Sequence, residues 1–151
     1  MANLNDLGAR NSAIAKAREA LGLEANHPAH TWSVARINPD ANSFLLVVFG
    51  TPQAAVGIAT IDQSSGEILA KATLSGRQPH LLISAEEAKQ RAGFDAHTEA
   101  ILVWDPTKAS HSPFYPLWQL HDSHRTVWVD SVRGTIWKSL DALHGGGTVR
   151  G

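Results

Sequence analysis

Two segments of the chain carry the same turn pattern, and this repetition constrains the fold more than any other feature. Residues 60–69 and 128–137 each contain an apolar strand end, an Asp, three further residues, a Gly and a second apolar stretch. An Asp side chain accepts hydrogen bonds from amides two or three residues later, and Gly adopts the positive φ that closes the turn. The sequence therefore predicts two β-hairpins of one design, turning at Asp62–Gly66 and Asp130–Gly134.

The same spacing extends beyond the hairpins. Trp32 and Trp104 are 72 positions apart, against 68 for the two turn Asp residues. Each half contains a helix, a Trp-bearing strand, an apolar strand and the hairpin, in that order, which is typical of a duplicated module. We therefore expect an α+β fold of two similar halves, residues 10–76 and 81–143, each with a helix packed on an antiparallel β-sheet.

Local signals predict one helix in each half. Apolar residues recur at helical spacing from Ser12 to Leu21, and a Gly follows. Ser84 and Glu87 fit a capping box that opens the second helix, and Gly93 is placed to end it. Turn residues separate eight predicted strands, at 31–37, 44–49, 54–61, 68–74, 100–104, 115–121, 125–129 and 135–139.

Composition favours one compact chain without disulfide bonds. The 151 residues include no Cys, which fits a reducing compartment, and residues 144–151 read as a flexible tail. Thirteen Lys and Arg against fourteen Asp and Glu give a net charge of −1 without a basic run, so nucleic-acid binding is not expected. No signal peptide or membrane span is evident, which predicts a cytoplasmic protein. A secreted protein that has lost its leader is the alternative.

The second half combines a short Ala-rich helix, a strand and a closing Val-Asp-x-x-x-Gly hairpin, at Ser84–Ala88, Tyr115–Leu120, Val127–Asp130 and Gly134–Trp137. In this pattern it resembles the PepSY module. In the first half, Ile61–Leu69 is the best match. The resemblance implies small α+β units similar to cystatins, linked to peptidase regulation or inhibition, and it implies no catalytic residues.

Tryptophan provides the main candidate binding residues. The chain has five Trp, and Trp118, Trp128 and Trp137 fall on three consecutive predicted strands, where two or three indoles can share a sheet face. Trp is enriched at binding hot spots because it combines a large rigid surface with a donor. Trp128 and Trp104 have apolar flanks that favour packing, and Trp137 is expected to be exposed. Tyr115 is a further binding candidate.

Two His-x-x-His pairs provide the main alternative to a binding surface. Neutral imidazoles are ligands for zinc, copper and nickel, so His27, His30, His121 and His124 are candidate metal ligands. Pro28 interrupts the first pair, however, and the second pair spans a predicted turn. Exposed loop histidines are the favoured interpretation, and no metal or other cofactor is expected.

Other reactive groups have simpler explanations. Asp62 and Asp130 are explained by hydrogen bonds within their turns. The long loop 105–113 contains Ser110-His111-Ser112, but adjacent residues seldom align for nucleophilic attack, and the Gly-x-Ser-x-Gly elbow is absent. Catalytic residues are therefore not predicted.

These observations predict a noncatalytic binding or regulatory protein. Its partner is expected to be a protein or peptide that docks on a sheet edge or on the Trp-bearing face, and a homodimer is a variant of the same contact. The alternative is a small enzyme or carrier of a ligand or metal, with a pocket between a helix and a curved sheet.

Overall fold

The structure, a computed structural model, describes residues 4–51, 53–76, 79–80 and 82–140. The chain divides into two compact units. The first unit comprises Met1–Val34 and Pro39–Leu81, and the second comprises Ala35–Asn38 and Leu82–Gly151. The predicted tail, 144–151, lies outside the described residues.

In the described part of the first unit, one helix is followed by four strands: α1 (Leu7–Ala20), β1 (Ala29–Arg36), β2 (Phe44–Thr51), β3 (Ala54–Asp62) and β4 (Ile68–Thr73). The strands pair antiparallel in the order β4-β3-β2-β1. Side chains on both faces of β2 are buried from Phe44 to Phe49, as its unbroken apolar sequence requires. Ile14 and Ala17 of α1 pack against alternate residues of β2, including Val47.

Gly57 on β3 permits a close approach by the chain that follows α1. A Cβ atom at this position would lie 2.9 Å from Cδ1 of Leu23 and 3.1 Å from Cδ1 of Leu21. Neighbouring Ala59 is fully buried in the core beneath α1. Small residues therefore line the part of β3 on which the first helix and the leucines after it pack.

The residues described in the second unit again form one helix followed by four strands: α2 (Ala85–Ala92), β5 (Glu99–Trp104), β6 (Leu117–His121), β7 (Thr126–Asp130) and β8 (Ile136–Trp137). These strands form an antiparallel meander in the order β5-β6-β7-β8. The last two residues of β1, Ala35 and Arg36, belong to this unit and pair in parallel with Val103 and Trp104 of β5.

The predicted α+β class is confirmed, and all eight predicted strands are present with ends within two residues of expectation. The parallel pairing of Ala35 and Arg36 with β5 was not predicted, so the sheet of the second unit is mixed rather than purely antiparallel. No helix in the described part of the chain is long and apolar enough to cross a membrane.

The predicted start of α1 was wrong. The helix begins at Leu7, because Asp6 caps it by accepting a hydrogen bond from the Ala9 amide at 3.1 Å. Leu7 is 69% exposed, and Ala9, which packs against the core from this turn, is only partly buried. Apolar periodicity therefore first appears later, around Ala13 and Ile14.

The predicted boundaries of α2 are confirmed. The Ser84 hydroxyl accepts a hydrogen bond from the Glu87 amide at 3.1 Å, and Gly93 ends the helix with a φ of 76°. The Glu87 carboxylate binds the Arg91 guanidinium, with N–O distances of 3.0 and 2.9 Å. Glu87 thus supports the helix through an i,i+4 ion pair.

The first predicted hairpin turn has the expected hydrogen bonds. One Asp62 oxygen accepts from the amides of Ser64 and Ser65 at 2.7 and 3.0 Å, and the Gly66 amide donates to the Asp62 carbonyl. Burial raises the pKa of Asp62. The amide hydrogen bonds and the Asn42 side chain together lower this pKa by more than burial raises it, so the net shift is downward.

The second hairpin turn repeats these contacts. One Asp130 oxygen accepts from the amides of Val132 and Arg133, both at 2.8 Å, and the Gly134 amide donates to the Asp130 carbonyl at 2.8 Å. Gly66 and Gly134 both have a φ of 78°. The two turns are thus the same local structure, built from different residues around the Asp and Gly.

Candidate functional site

Strand register places two of the three candidate indoles on one sheet face. Trp128 of β7 lies directly opposite Trp137 of β8. Trp118 of β6 lies opposite Val129 instead, so its side chain is on the other face, with the residues that pack against Ala88 of α2. The Trp118 indole donates to the Ile83 carbonyl at 2.9 Å. Trp118 therefore belongs to the helix-covered core.

The register extends Trp128 and Trp137 into a row across the second unit. Ile101 lies opposite Gln119, and Gln119 lies opposite Trp128. We call these four side chains, Ile101, Gln119, Trp128 and Trp137, the indole row. Ile101 is 40% exposed and the other three are half-buried. The Trp128 indole donates to the Gln119 side-chain oxygen at 3.0 Å, which fixes the middle of the row.

Trp137 is half-buried rather than exposed as predicted, because it packs with Trp128 against the buried cluster of Val103, Ala109 and Leu117. Its indole nitrogen is buried and has no hydrogen-bond partner among the described residues. Trp104 is 8% exposed, which confirms its predicted place in the core. Sequence flanks thus identified the core position of Trp104 but not the packing of Trp137.

Tyr115 lies in the loop between β5 and β6 and is not a member of the indole row. It lines a pocket of about 260 Å³ together with Lys108, Ala109, Ser110, His111, Ser112 and Arg133, which we call the loop pocket. The Arg133 guanidinium lies 4.4 Å from the centre of the Tyr115 ring, within the range of a cation–π contact. Ala109 contributes to both the loop pocket and the cluster beneath the indoles.

The loop is ordered by its own hydrogen bonds. The backbones of Thr107 and Ser110 exchange two hydrogen bonds, at 3.1 and 3.2 Å. The buried Ser110 hydroxyl lies 2.6 Å from the Tyr115 carbonyl and 3.1 Å from the Ser112 carbonyl, so its proton is committed to the backbone. The hydroxyl of Ser110 therefore holds the loop together and is not placed as a nucleophile.

The four candidate histidines are distributed over both units. His27 and His30 belong to the first unit, and His121 and His124 belong to the second. His30 lies in β1 and is half-buried, whereas His121 ends β6 and contacts the Thr126 hydroxyl at 2.7 Å. Among the described residues, no group of three or more His, Cys, Asp or Glu side chains is arranged to hold a metal ion.

A second pocket, of about 400 Å³, contains several acidic and imidazole groups. Its lining residues are Asp95, His97, Thr98, Glu99, His121 and Asp122. Asp122 accepts hydrogen bonds from the amides of His124 and Arg125, and these contacts lower its pKa. Asp95 similarly accepts from the His97 amide at 2.8 Å. Both carboxylates therefore have structural roles in turns.

The sequence did not predict Lys108, His111 or Arg133 as binding residues, although all three line the loop pocket. His111 was considered only for nucleophilic catalysis. Arg133 occupies one of the three unspecified positions of the second Asp-x-x-x-Gly turn, so the turn pattern does not indicate a role for its side chain. The sequence feature that pointed to this site was the length of loop 105–113, since connections of this length are often functional.

No known protein family and no curated protein matches the chain. A crystal structure of a putative lipoprotein from Clostridium difficile 630 is similar over 85% of this chain and 90% of its own, with 14% sequence identity and a TM-score of 0.37. A TM-score this low supports no statement about function.

Proposed function

We propose that this chain is a noncatalytic binding or regulatory protein that holds a protein or peptide partner on the indole row of its second unit. The observation that carries this proposal is the register that aligns Ile101, Gln119, Trp128 and Trp137 across four strands. Rigid aromatic side chains in such a row provide contact area at a small entropic cost, as at known interface hot spots.

The face of the sheet is a better docking surface than its edge in this unit. β8 contains only Ile136 and Trp137, so it offers few backbone groups to an added strand. The indole row offers an exposed aliphatic group, an amide and two aromatic rings on one surface. We therefore place the partner across the strands, with an apolar side chain over Trp128 and Trp137.

The hydrogen bonds of three polar side chains considered for catalysis support a binding role. Asp62 and Asp130 accept the amide hydrogen bonds of their turns, and the Ser110 hydroxyl donates to the backbone of its own loop. Their hydrogen-bonding capacity is directed at local structure rather than at a common reacting centre.

We also propose that the two units arose by duplication of one module. Each has a helix followed by a four-strand antiparallel meander, and the last hairpin of each has the same turn contacts. These features support the tandem PepSY-like arrangement expected from the sequence. That resemblance makes a peptidase the first partner to test.

The test compares partner recovery by the purified chain from an extract of its own source cells. Trp137→Leu alters the indole row, and Trp118→Leu makes the same change on the opposite face. Ile101→Lys adds a charge to the exposed end of the row with little effect on the core. We expect wild type and Trp118→Leu to recover the same partner, and the two row variants to lose it.

Each variant is used only if its melting temperature matches that of the wild type, and light scattering reports whether the recovered partner is a second copy of the chain. Equal recovery by the wild type, Ile101→Lys and Trp137→Leu would refute a role for the row. Peptidase assays on the recovered fraction then test the regulatory part of the proposal.

A further inference from the structure

We propose that the loop pocket of the second unit binds a phosphate group, either as the free ion or carried by a peptide side chain. Three side chains that can carry positive charge, Lys108, His111 and Arg133, line this pocket of about 260 Å³. Among the described residues that line it, none carries a carboxylate. None of these lining residues belongs to the indole row, so the inference goes beyond the proposed partner contact.

The guanidinium of Arg133 has N–H donors that are available to bind an anion. Its Nη1 lies 3.7 Å from Oδ2 of Asp130, beyond normal hydrogen-bond distance, and its side chain is 60% exposed. The other Asp130 oxygen already accepts two backbone amides. A guanidinium presents a planar fork of N–H donors that matches two oxygens of a phosphate. The weak contact with Asp130 therefore leaves most of this fork available.

Tyr115 positions the guanidinium. With the Arg133 Cζ atom 4.4 Å from the ring centre, the aromatic face restricts one side of the guanidinium and leaves its N–H edge to make hydrogen bonds. Stacking of this kind reduces the side-chain entropy that an Arg loses when it binds an anion. Tyr115 thus acts as a positioning residue.

Lys108 and the loop serines complete the site. Lys108 is exposed and forms no ion pair with any described residue, so its charge is not neutralised locally. The Ser112 hydroxyl accepts from the Phe114 amide at 3.1 Å and keeps its own proton for donation. Two cations and a hydroxyl donor suit a dianionic oxygen group better than a single carboxylate.

The pocket is small and pre-formed. Its volume is below the 300–1,000 Å³ of typical drug-sized ligand sites, which favours a small group over a whole nucleotide. The paired backbone hydrogen bonds of Thr107 and Ser110 and the Ser110 hydroxyl hold the loop in place. Binding therefore does not require the loop to fold at the same time.

The test uses inorganic phosphate, with sodium chloride at the same ionic strength as the control. We expect phosphate, and not chloride, to raise the melting temperature and to shift the NMR signals of the Arg133 side chain. Arg133→Gln and Lys108→Gln should each weaken phosphate binding by about tenfold or more, because each removes a charge-assisted hydrogen bond. Lys138→Gln removes an exposed charge outside the pocket and should leave binding unchanged.

A phosphoserine peptide and its unphosphorylated form distinguish the two sources of the group. Binding of inorganic phosphate alone identifies a free-ion site, and selective binding of the phosphorylated peptide identifies a peptide-borne group. The proposal is overturned if chloride and phosphate act equally, or if Lys108→Gln and Lys138→Gln behave alike. Equal binding of the two peptides overturns the peptide-borne form of the proposal. Trp137→Leu should keep phosphate binding, so failure of the indole-row proposal is distinguishable.

Discussion

The guanidinium of Arg133 stacks on the ring of Tyr115, with Cζ 4.4 Å from the ring centre. Exposed cation–π contacts contribute about 0.5–1 kcal/mol. A double-mutant cycle of Arg133→Gln and Tyr115→Leu, measured by urea unfolding, should give a coupling energy in this range. A cycle of Arg133→Gln with Trp118→Phe, which has no such contact, should be additive. Equal coupling in the two cycles would contradict the stacking interaction.

Acid should remove the stabilisation provided by Asp62. The pKa of this carboxyl is lowered in the folded chain, so its contribution is complete above the unfolded value of about 3.9 and is lost as the pH falls through the folded pKa. We expect Asp62→Asn to lower the free energy of unfolding by about 1 kcal/mol at neutral pH, since solvent screens this turn.

Urea titrations from pH 7 to pH 2 measure this difference. The gap between wild type and Asp62→Asn should close at the acid end, whereas Glu24→Gln, on an exposed side chain, should follow the wild type throughout. A gap that stays constant across the titration would show that the charge on Asp62 is irrelevant to stability.

Two glycines should respond in opposite directions to the same substitution. Gly57→Ala places a methyl group 2.9 Å from Leu23 and 3.1 Å from Leu21, so we expect a loss of about 1–3 kcal/mol from overpacking. Gly8 lies in α1, and an added Cβ would meet only the Asp6 side chain, at 3.6 Å. Gly8→Ala should therefore stabilise the chain by about 0.5 kcal/mol. Thermal melts that change in the same direction would refute the close packing at Gly57.

The cap of α2 should be replaceable only by another acceptor. Ser84→Ala removes the oxygen that accepts from the Glu87 amide and should cost about 1 kcal/mol. Ser84→Asp supplies a new acceptor and should retain nearly all the stability, as measured by urea unfolding. Glu86→Gln, an exposed change in the same first turn, serves as the control. Equal stability of the Ala and Asp variants would argue against the cap.

Local chemistry in the sequence determined the strands, the turns and the end points of α2. The contacts of Asp62 and Asp130 span only two or three residues, so the identities of nearby residues are enough to specify them. The start of α1 could not be predicted from apolar periodicity, because Leu7 is exposed, Ala9 is only partly buried, and the cap is the single side chain of Asp6.

Only the tertiary structure decided which side chains meet. Trp118 and Trp128 lie on opposite faces of the sheet, because side chains alternate along each strand and the register pairs Trp128 with Gln119 rather than with Trp118. A shift of one residue in this register would place the two indoles on the same face. The loop pocket likewise joins Lys108 to Arg133, residues separated by two strands in the sequence. A turn depends on its nearest neighbours, whereas a binding surface depends on long-range pairing that no short pattern encodes.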